Sequence, residues 1–302
     1  ITALPPQDHV LEGSLERTAG NIRAAGGEAT ASTSSWSEGT AATFTVSSDE
    51  LPEGFLAAVT GANVGSLDHS DLVGANPLEW LDEKFIGYLE ERREEPRDDV
   101  LTALATAKYP DGSTPPVIEV VRSATFLFAA GQETTTKLLS ASLRVLGDHP
   151  DIQQRLRADR SRIPVFVEEA LRMDAPVKSQ FRLAKKPTRV GDIDVPAGTT
   201  MMVCPGAVNR DPNRFEHPHE FDLDRKNVRE HIAFGRGVHS CPGGPLARVE
   251  GRVSIERILD RMGNIEIDAD KHGAPGERRY TYEPTFILRG LTELNITFSP
   301  VD

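Results

Sequence analysis

A glycine-rich segment, FGRGVHSCPGG at residues 234–244, presents a single cysteine, Cys241, in surroundings that favour metal chemistry. The glycines before it permit the positive φ angles that a tight loop displaying one side chain requires. The two glycines after it let a bulky planar ligand approach the backbone. A helix is predicted to begin at Pro245, and the dipole and free N–H groups at a helix start stabilise a thiolate, the form of cysteine that binds iron.

Two other interpretations of Cys241 stay open at this point. One is an inert free thiol in a glycine turn, and the other is a zinc site shared with nearby histidines. The histidines close to it in sequence are His217, His219, His231 and His239. Their spacing contains no paired CxxC or HxxxH arrangement, so the pattern favours zinc less than iron.

A second motif, AGQETT, begins at Ala130 in a long stretch that is first apolar and then abruptly polar. Ala130 and Gly131 lack bulk, so a small ligand can approach the backbone there. Glu133 and Thr134 follow directly, and an acid beside an alcohol can deliver protons to a reacting group. The alternative for Thr134 is a hydrogen bond to the carbonyl of the preceding helical turn.

The pattern along the chain predicts a mainly α fold with a smaller β part, which would position these residues. Helices are predicted over residues 77–95, 98–109, 116–147, 151–157, 164–173 and 245–262, and strands within 188–204 and 280–298. Residues 209–229 are predicted to be a loop, and residues 26–50 either a loop or a join across missing residues. At 1.5 Å rise per residue the third helix is roughly 45 Å long, so it can cross a whole domain.

Composition restricts the function classes. The 302-residue chain has a formal net charge of -12, which disfavours nucleic acid as a partner. No apolar run is long enough to span a bilayer, and the first ten residues lack the pattern of a secretory signal. The two cysteines cannot form a disulfide framework. We therefore expect a cytoplasmic protein without a membrane or nucleic-acid partner.

The cysteine segment resembles the haem-binding motif of the cytochrome P450 family, FxxGxxxCxG, at Phe234, Gly237, Cys241 and Gly243, and Ala247 follows as it usually does there. The resemblance implies that Cys241 is the proximal ligand of haem b (iron protoporphyrin IX), that Phe234 packs beside its sulfur, and that His239 and Arg182 reach haem propionates. The residues that it assigns to the cofactor are Cys241, His239, Arg182, Phe234, Gly235, Gly243, Ala130 and Gly131.

Two further motifs are similar to those of the family. The ExxR pair Glu169 and Arg172 lies on one helix face, and by itself such a pair is an ordinary surface ion pair. In the family an ExxR pair locks to an arginine before the cysteine loop, which matches Arg225. AGQETT matches the (A/G)Gx(D/E)T motif of the long helix, which implies that Thr134 and Glu133 are the catalytic pair.

The resemblance implies a cytochrome P450-like fold with haem between the long helix and the cysteine loop. It implies a monooxygenase that inserts one oxygen atom from O2 into a small organic substrate, with electrons from a ferredoxin or flavodoxin-type donor. Arg236 and Arg248 can supply positive charge to that donor, or simply solvate the surface. The alternatives are other haem-thiolate chemistry (peroxygenase, nitration or reduction) and a truncated haem-binding remnant without activity.

The substrate pocket is expected beside the haem edge, with polar groups among apolar walls. Candidate lining residues are Phe126, Phe128, Gln132, Val177, Lys178, Ser179 and Gln180. Donors in such a pocket favour a substrate that carries acceptors, because a buried donor left unpaired costs about 1–3 kcal/mol. Alternatively, Lys178 and Gln180 face solvent.

The resemblance covers about residues 77–302. Near the start, PPQDH resembles the family's entry to a helix with propionate-binding residues, with His9 in the matching position, but VLEGSLER replaces the expected basic run. We expect one domain over residues 1–302, with an atypical or incomplete part at 1–75 and a recognisable core at 76–302.

Overall fold

The computed structural model describes residues 79–301. Predictions for residues 1–75, including the loop at 26–50 and the match of His9, lie outside the described residues. Residues 79–126 belong to one compact unit and residues 127–301 to another. The expectation of a single domain stays a prediction.

The first unit is helical. It contains α1 (Glu79–Glu94), α2 (Val100–Ala105) and the start of α3 (Val117–Asp148). Leu89, Ala105 and Val121 form its buried centre. The Asp99 carboxylate caps α2 by accepting a hydrogen bond from the Thr102 N–H at 2.7 Å. The helix ends at Ala105 rather than near residue 109 as predicted, because the chain then turns and the Tyr109 N–H binds the Ser113 carbonyl at 3.0 Å.

The second unit continues α3 and holds most of the remaining elements in alternation of helix and short strand. They are α4 (Pro150–Ala158), α5 (Ile163–Met173), β1 (Gln180–Leu183), β2 (Thr188–Val190), β3 (Ile193–Val195), β4 (Thr200–Val203), α6 (Pro205–Val208), α7 (Gly244–Arg261), β5 (Met262–Ile267), α8 (Ala269–His272) and β6 (Ile296–Pro300). The helix predicted over residues 116–147 is therefore confirmed to within one residue at each end. Short 3₁₀ turns lie at Arg160–Arg162, Val228–Glu230 and Gly237–His239.

The strands form three antiparallel pairs, β1 with β4, β2 with β3, and β5 with β6. The mainly α prediction with a smaller β part is confirmed. The strands predicted over residues 280–298 are not continuous: only isolated bridges, Val177 to Leu288 and Tyr282 to Leu291, precede β6. Pro284 has no N–H to donate, and the Thr285 hydroxyl binds both the N–H and the carbonyl of Leu288 at 2.9 Å.

The core of the second unit lies where α3, α4, α5, α7 and β5 meet. Its buried members include Leu146, Leu156, Phe166, Leu171, Ile255, Leu259 and Ile265. Burial of each such side chain stabilises the fold by about 1.5–3 kcal/mol. Among the helices of residues 79–301, none combines the length and the apolar character needed to cross a bilayer.

One buried carboxylate fastens α5 to the chain that follows it. Glu169 and Arg172 are both 0% exposed, and Arg172 donates to Glu169 through Nε and Nη2 at 2.8 Å. Arg225 adds a bond from its Nε to Glu169 Oε1 at 2.9 Å. The remaining guanidinium protons bind loop carbonyls, among them those of Asn209 and Glu216. The structure thus brings the predicted triad together as a fully paired buried network.

Because the loss of Glu169 leaves the buried charges of Arg172 and Arg225 without a carboxylate partner, we expect Glu169→Ala to lower the free energy of unfolding by about 3–5 kcal/mol. The matched control is Glu256→Ala, since Glu256 pairs with Arg252 at 2.8 Å on the exposed face of α7. That change is expected to cost about 0.5 kcal/mol. Urea unfolding followed by circular dichroism measures both, and equal losses in the two variants would contradict a buried role for Glu169.

Candidate functional site

A cavity of about 310 Å³ in the second unit brings two of the predicted motifs together. The middle of α3 contributes Ala130, Glu133 and Thr134, and the cysteine loop contributes Phe234 and Cys241. Other lining residues are Ala129, Thr135, Leu138, Leu171, Pro176, Val177, Gln180, Ala233, His239, Ala247 and Leu288. The wall is therefore mainly apolar, and its polar groups are one thiol, one imidazole, one carboxylate, two hydroxyls and one amide.

The cysteine loop is closed by its own backbone. The Cys241 N–H donates to the Phe234 carbonyl at 2.8 Å, and the Gly235 N–H donates to the Ile232 carbonyl at 2.9 Å. Gly235 and Gly237 have φ angles of 69° and 74°, in the left-handed region that glycine occupies without strain. As predicted, α7 begins directly after the loop, at Gly244. Cys241 thus lies ahead of a helix N-terminus, where a thiolate is stabilised.

A second buried carboxylate, Glu168, binds one residue on each side of the cysteine loop. It accepts from Arg248 Nε at 2.6 Å and lies 2.8 Å from His231 Nε2. The Ala233 N–H donates to His231 Nδ1 at 3.1 Å, so Nε2 carries the ring proton and donates it to Glu168. The Arg248 guanidinium also lies 4.5 Å from the centre of the Phe234 ring.

Burial raises the pKa of the Glu168 carboxyl, but hydrogen bonds from His231 and Arg248 outweigh it and lower this pKa to about 2. Sequence reasoning missed this cluster. Its one sequence signal was the second glutamate, adjacent to Glu169, in an otherwise apolar helix. From the sequence, Arg236 and Arg248 are both candidates for positive surface charge. Arg248 is neutralised by Glu168, whereas Arg236 donates to the Glu230 carbonyl at 3.0 Å and stays exposed.

Glu133 and Thr134, the acid–alcohol pair of α3, both line the cavity, and each has a hydrogen-bond or ion-pair partner on α3 itself. The Thr134 hydroxyl donates to the Ala130 carbonyl at 2.9 Å, which is the alternative considered from the sequence, yet the residue still lines the cavity. Glu133 Oε1 lies 2.6 Å from Lys137 Nζ. Glu133 Oε2 is buried and has no hydrogen-bond partner among residues 79–301. Gly131 is exposed and is not among the residues that line the cavity.

Other predicted residues are placed elsewhere. Arg182, on β1, donates to the Phe181 carbonyl and to Gln180 Oε1, both at 2.8 Å, and is exposed. Lys178 and Ser179 line a different cavity of about 560 Å³. The bridge between Val177 and Leu288 directs Val177 towards the first cavity, whereas the Ser179 hydroxyl is held by the Phe286 carbonyl. Phe126, in the first unit, is largely exposed, as is Phe128, and the side chain of Gln132 lies outside the described residues.

The zinc alternative finds no support in the structure. Within residues 79–301, no three His, Cys, Asp or Glu side chains are grouped so as to hold a metal ion. His231 is buried against Glu168, and His217 is exposed beside Glu216 and Glu220. Of the four histidines considered, His239 alone lines the cavity with Cys241.

Comparison with known proteins agrees with the sequence motifs. Residues 78–264 match the family model described as Cytochrome P450. Cytochrome P450 144 of Mycobacterium tuberculosis is 38% identical over 202 residues, which are 67% of this chain and 44% of that protein. Cytochrome P450 monooxygenase PikC of Streptomyces venezuelae is 36% identical over 215 residues, 70% of this chain and 50% of that protein. The chain spans about half the length of these curated relatives.

Solved structures give the same result. The substrate-free form of Mycobacterium marinum cytochrome P450 CYP150A6 is similar with a TM-score of 0.72 and 69% identity, covering 81% of this chain and 57% of that one. CYP109E1 of Bacillus megaterium, in complex with corticosterone, gives a TM-score of 0.67 and 31% identity, covering 73% of this chain and 57% of that one.

The lowered pKa of Glu168 predicts a particular dependence of stability on pH. A carboxyl whose pKa is lower in the folded than in the unfolded chain stabilises the fold above its unfolded value, and loses this contribution as the pH falls towards the folded value. For a fall from 4.5 to about 2, the contribution is about 3 kcal/mol near neutral pH. We expect Glu168→Gln to be less stable than the parent at pH 7, and the difference to shrink as the pH falls from about 4.5 towards 2. Thermal unfolding across this range measures it, and a constant difference would argue against the assignment.

Proposed function

The chain belongs to the cytochrome P450 family, and from this premise we propose that it forms the core of a haem-thiolate monooxygenase. The reaction inserts one oxygen atom from O2 into a small organic substrate and uses electrons from a redox partner. The observation that carries the proposal is one mainly apolar cavity that is lined by Cys241 from the glycine loop and by Glu133 and Thr134 from α3. Iron ligation and proton delivery both need their groups in such a shared space.

The residues present fit a haem. The sulfur of Cys241 is a soft donor at a helix start, and the neighbouring walls at Ala130, Phe234 and Ala247 are apolar, as a porphyrin face requires. We assign Cys241 as the iron ligand, His239 as a partner of a propionate, and Phe234 as the ring that shields the sulfur. When bound, haem b supplies the redox chemistry of oxygen activation. The assignments of Arg182, Gly235, Gly243 and Gly131 to the cofactor stay predictions.

The protein's own contribution is proton handling and exclusion of water. In this proposal Thr134 gives up its bond to the Ala130 carbonyl and donates its hydroxyl proton into the cavity. The Glu133 carboxylate takes up a proton from solvent and passes it to Thr134, so that both residues end the cycle in the protonation state in which they began. Leu138, Leu171 and other apolar residues of the wall keep bulk water away, which strengthens each polar interaction inside.

The surface around the cysteine loop suits an electron donor. Val238 is 97% exposed at the tip of the loop, and Leu246 is 61% exposed on the first turn of α7. Arg236 and Arg229 add exposed positive charge nearby, although the chain as a whole is acidic. Exposed apolar side chains with positive charges nearby suit the binding of a small acidic protein of the ferredoxin or flavodoxin type. A cytoplasmic location remains a prediction.

The substrate is expected to be small or medium-sized. Val177 and Leu288 give the cavity apolar walls, and Gln180 adds an amide. These groups favour a substrate that carries hydrogen-bond acceptors over a plain hydrocarbon. Solved relatives hold chemically different molecules, corticosterone in one and a fatty acid carried by acyl carrier protein in another, so similarity alone does not select a substrate class.

The first prediction from this function concerns the thiolate. With haem bound, the reduced carbon-monoxide complex of the full chain should show the red-shifted Soret band of a thiolate ligand. Cys241→Ala should lose this band. Cys204→Ala is the matched control and should keep it, because Cys204 lines the other cavity. If the parent chain takes up no haem on reconstitution, the proposed function is wrong.

The second prediction concerns proton delivery. Thr134→Ala should bind haem and substrate as the parent does, but should divert electrons from product into hydrogen peroxide, because the hydroxyl that passes on the proton is gone. Thr134→Ser keeps the hydroxyl and should restore most of the product yield. Product and peroxide formed per electron pair are the quantities to measure. Unchanged coupling in Thr134→Ala would remove this residue from the mechanism and would favour peroxide-driven chemistry.

A further inference from the structure

Lys137 lies one helical turn after Glu133 on α3, and it is the most unusual charge near the cavity. Its side chain is only 5% exposed. Its Nζ lies 2.6 Å from Glu133 Oε1 and 2.6 Å from Glu283 Oε2. One buried ammonium therefore joins the acid of the cavity wall to a carboxylate of the C-terminal segment, residues 280–291.

The C-terminal segment makes room for this lysine. A Cβ on Gly290 would lie 2.7 Å from Lys137 Nζ, 2.8 Å from Cγ and 2.9 Å from Cε, which is closer than real contacts allow. Gly290 is not among the glycines with positive φ, so the passage of the lysine, rather than the backbone conformation, is what excludes a side chain here. The Glu283 N–H donates to the Gly290 carbonyl at 3.0 Å. Gly290, which leaves space for the lysine, and Glu283, which binds it, are thus joined by a backbone hydrogen bond.

The consequence for Glu133 is a fixed orientation. Oε1 is held by Lys137, and Oε2 is left buried at the cavity wall without a partner in the described part of the chain. An ordinary helical pair four residues apart is solvated and leaves both side chains free to rotate. Here burial, the second carboxylate and the gap at Gly290 together hold the lysine, so the glutamate that it binds is held as well.

We propose that Lys137 is the positioning residue of the distal acid: it fixes the orientation of the Glu133 carboxylate beside the cavity, and Glu283 with Gly290 holds Lys137 in place. This inference rests on the proposed function, since it concerns how Glu133 is presented to the haem pocket. It also gives the C-terminal segment a part in catalysis, through Lys137 and without contact with substrate.

The test uses the full chain with haem and reads the stretching band of carbon monoxide on the reduced iron, together with product per electron pair. Lys137→Met keeps the length of the side chain and removes the charge. Loss of the cation leaves the Glu133 carboxylate beside the cavity without its counter-charge, so the band should move to higher wavenumber, because the field of a buried charge is weakly screened in a dry cavity. Product per electron pair should fall about tenfold as the acid loses its orientation.

Three further variants separate positioning from folding. Gly290→Ala keeps every charge, and should reproduce both effects because it displaces the lysine. Lys137→Arg keeps a cation and should retain most of the parent's coupling. Glu283→Gln removes the outer anchor, and should give a weaker effect than Lys137→Met. Gly87→Ala is the matched glycine control, since a Cβ there meets no atom within 4 Å, and should leave both readouts unchanged.

The outcomes are distinct. A shifted band and poor coupling in Lys137→Met and Gly290→Ala, with both readouts near those of the parent in Lys137→Arg, supports the proposal. An unshifted band and parental coupling in Gly290→Ala overturns it, even if Lys137→Met fails to fold. A parent chain without the thiolate band overturns the proposed function, and this inference with it. If Lys137→Met and Gly290→Ala are less stable than the parent but leave the carbon-monoxide band unshifted, Lys137 has only a structural role and the proposal is wrong.

Discussion

The arrangement of the second unit depends on the carboxylate of Glu169, which is completely removed from water. A charge in that position is tolerable only when its hydrogen bonds are all made, and the two arginines that make them need carbonyls of their own. Those carbonyls come from the loop before Cys241. The adjacent Glu168 binds His231 and Arg248 in the same way. One turn of α5 is therefore tied both to the chain before the cysteine loop and to the helix that follows it.

Part of the fold and of the candidate site could be predicted, because some segments carry strong local sequence patterns. The bounds of α3 followed from a long helical pattern, and the loop around Cys241 from its glycines, which local conformation demands. The triad of Glu169 and its two arginines followed from resemblance, because an ExxR spacing alone is common. The partners of Glu168 and Lys137 were missed, since a side chain's partner far along the chain leaves no periodic trace. Lys178 and Arg182 were assigned by position in sequence, whereas strand and bridge geometry decides which way such residues face.

The two sides of the cavity are held by different means. Cys241 sits in a loop whose shape is set by backbone bonds and left-handed glycines, with buried ion pairs behind it. Glu133 sits on a regular helix, where the backbone fixes the start of the side chain but not its end. The position of its carboxylate depends on Lys137, which packs against Glu283 and Gly290 in another part of the chain. The cysteine is thus held by its own loop, whereas the acid is held by a lysine that depends on a distant part of the chain.

The pairing of β5 with β6 bears on how the chain folds during synthesis. β5 follows α7 directly, and its Ile265 belongs to the buried core, but its partner is made about thirty residues later. Until β6 is available, the edge of β5 has no partner strand, and the core side chains that Ile296 and Phe298 cover remain exposed to water. Such an edge is a template for pairing with other chains. A chain that lacks β6 would therefore expose both a free strand edge and part of its apolar core, a combination that favours association with other chains.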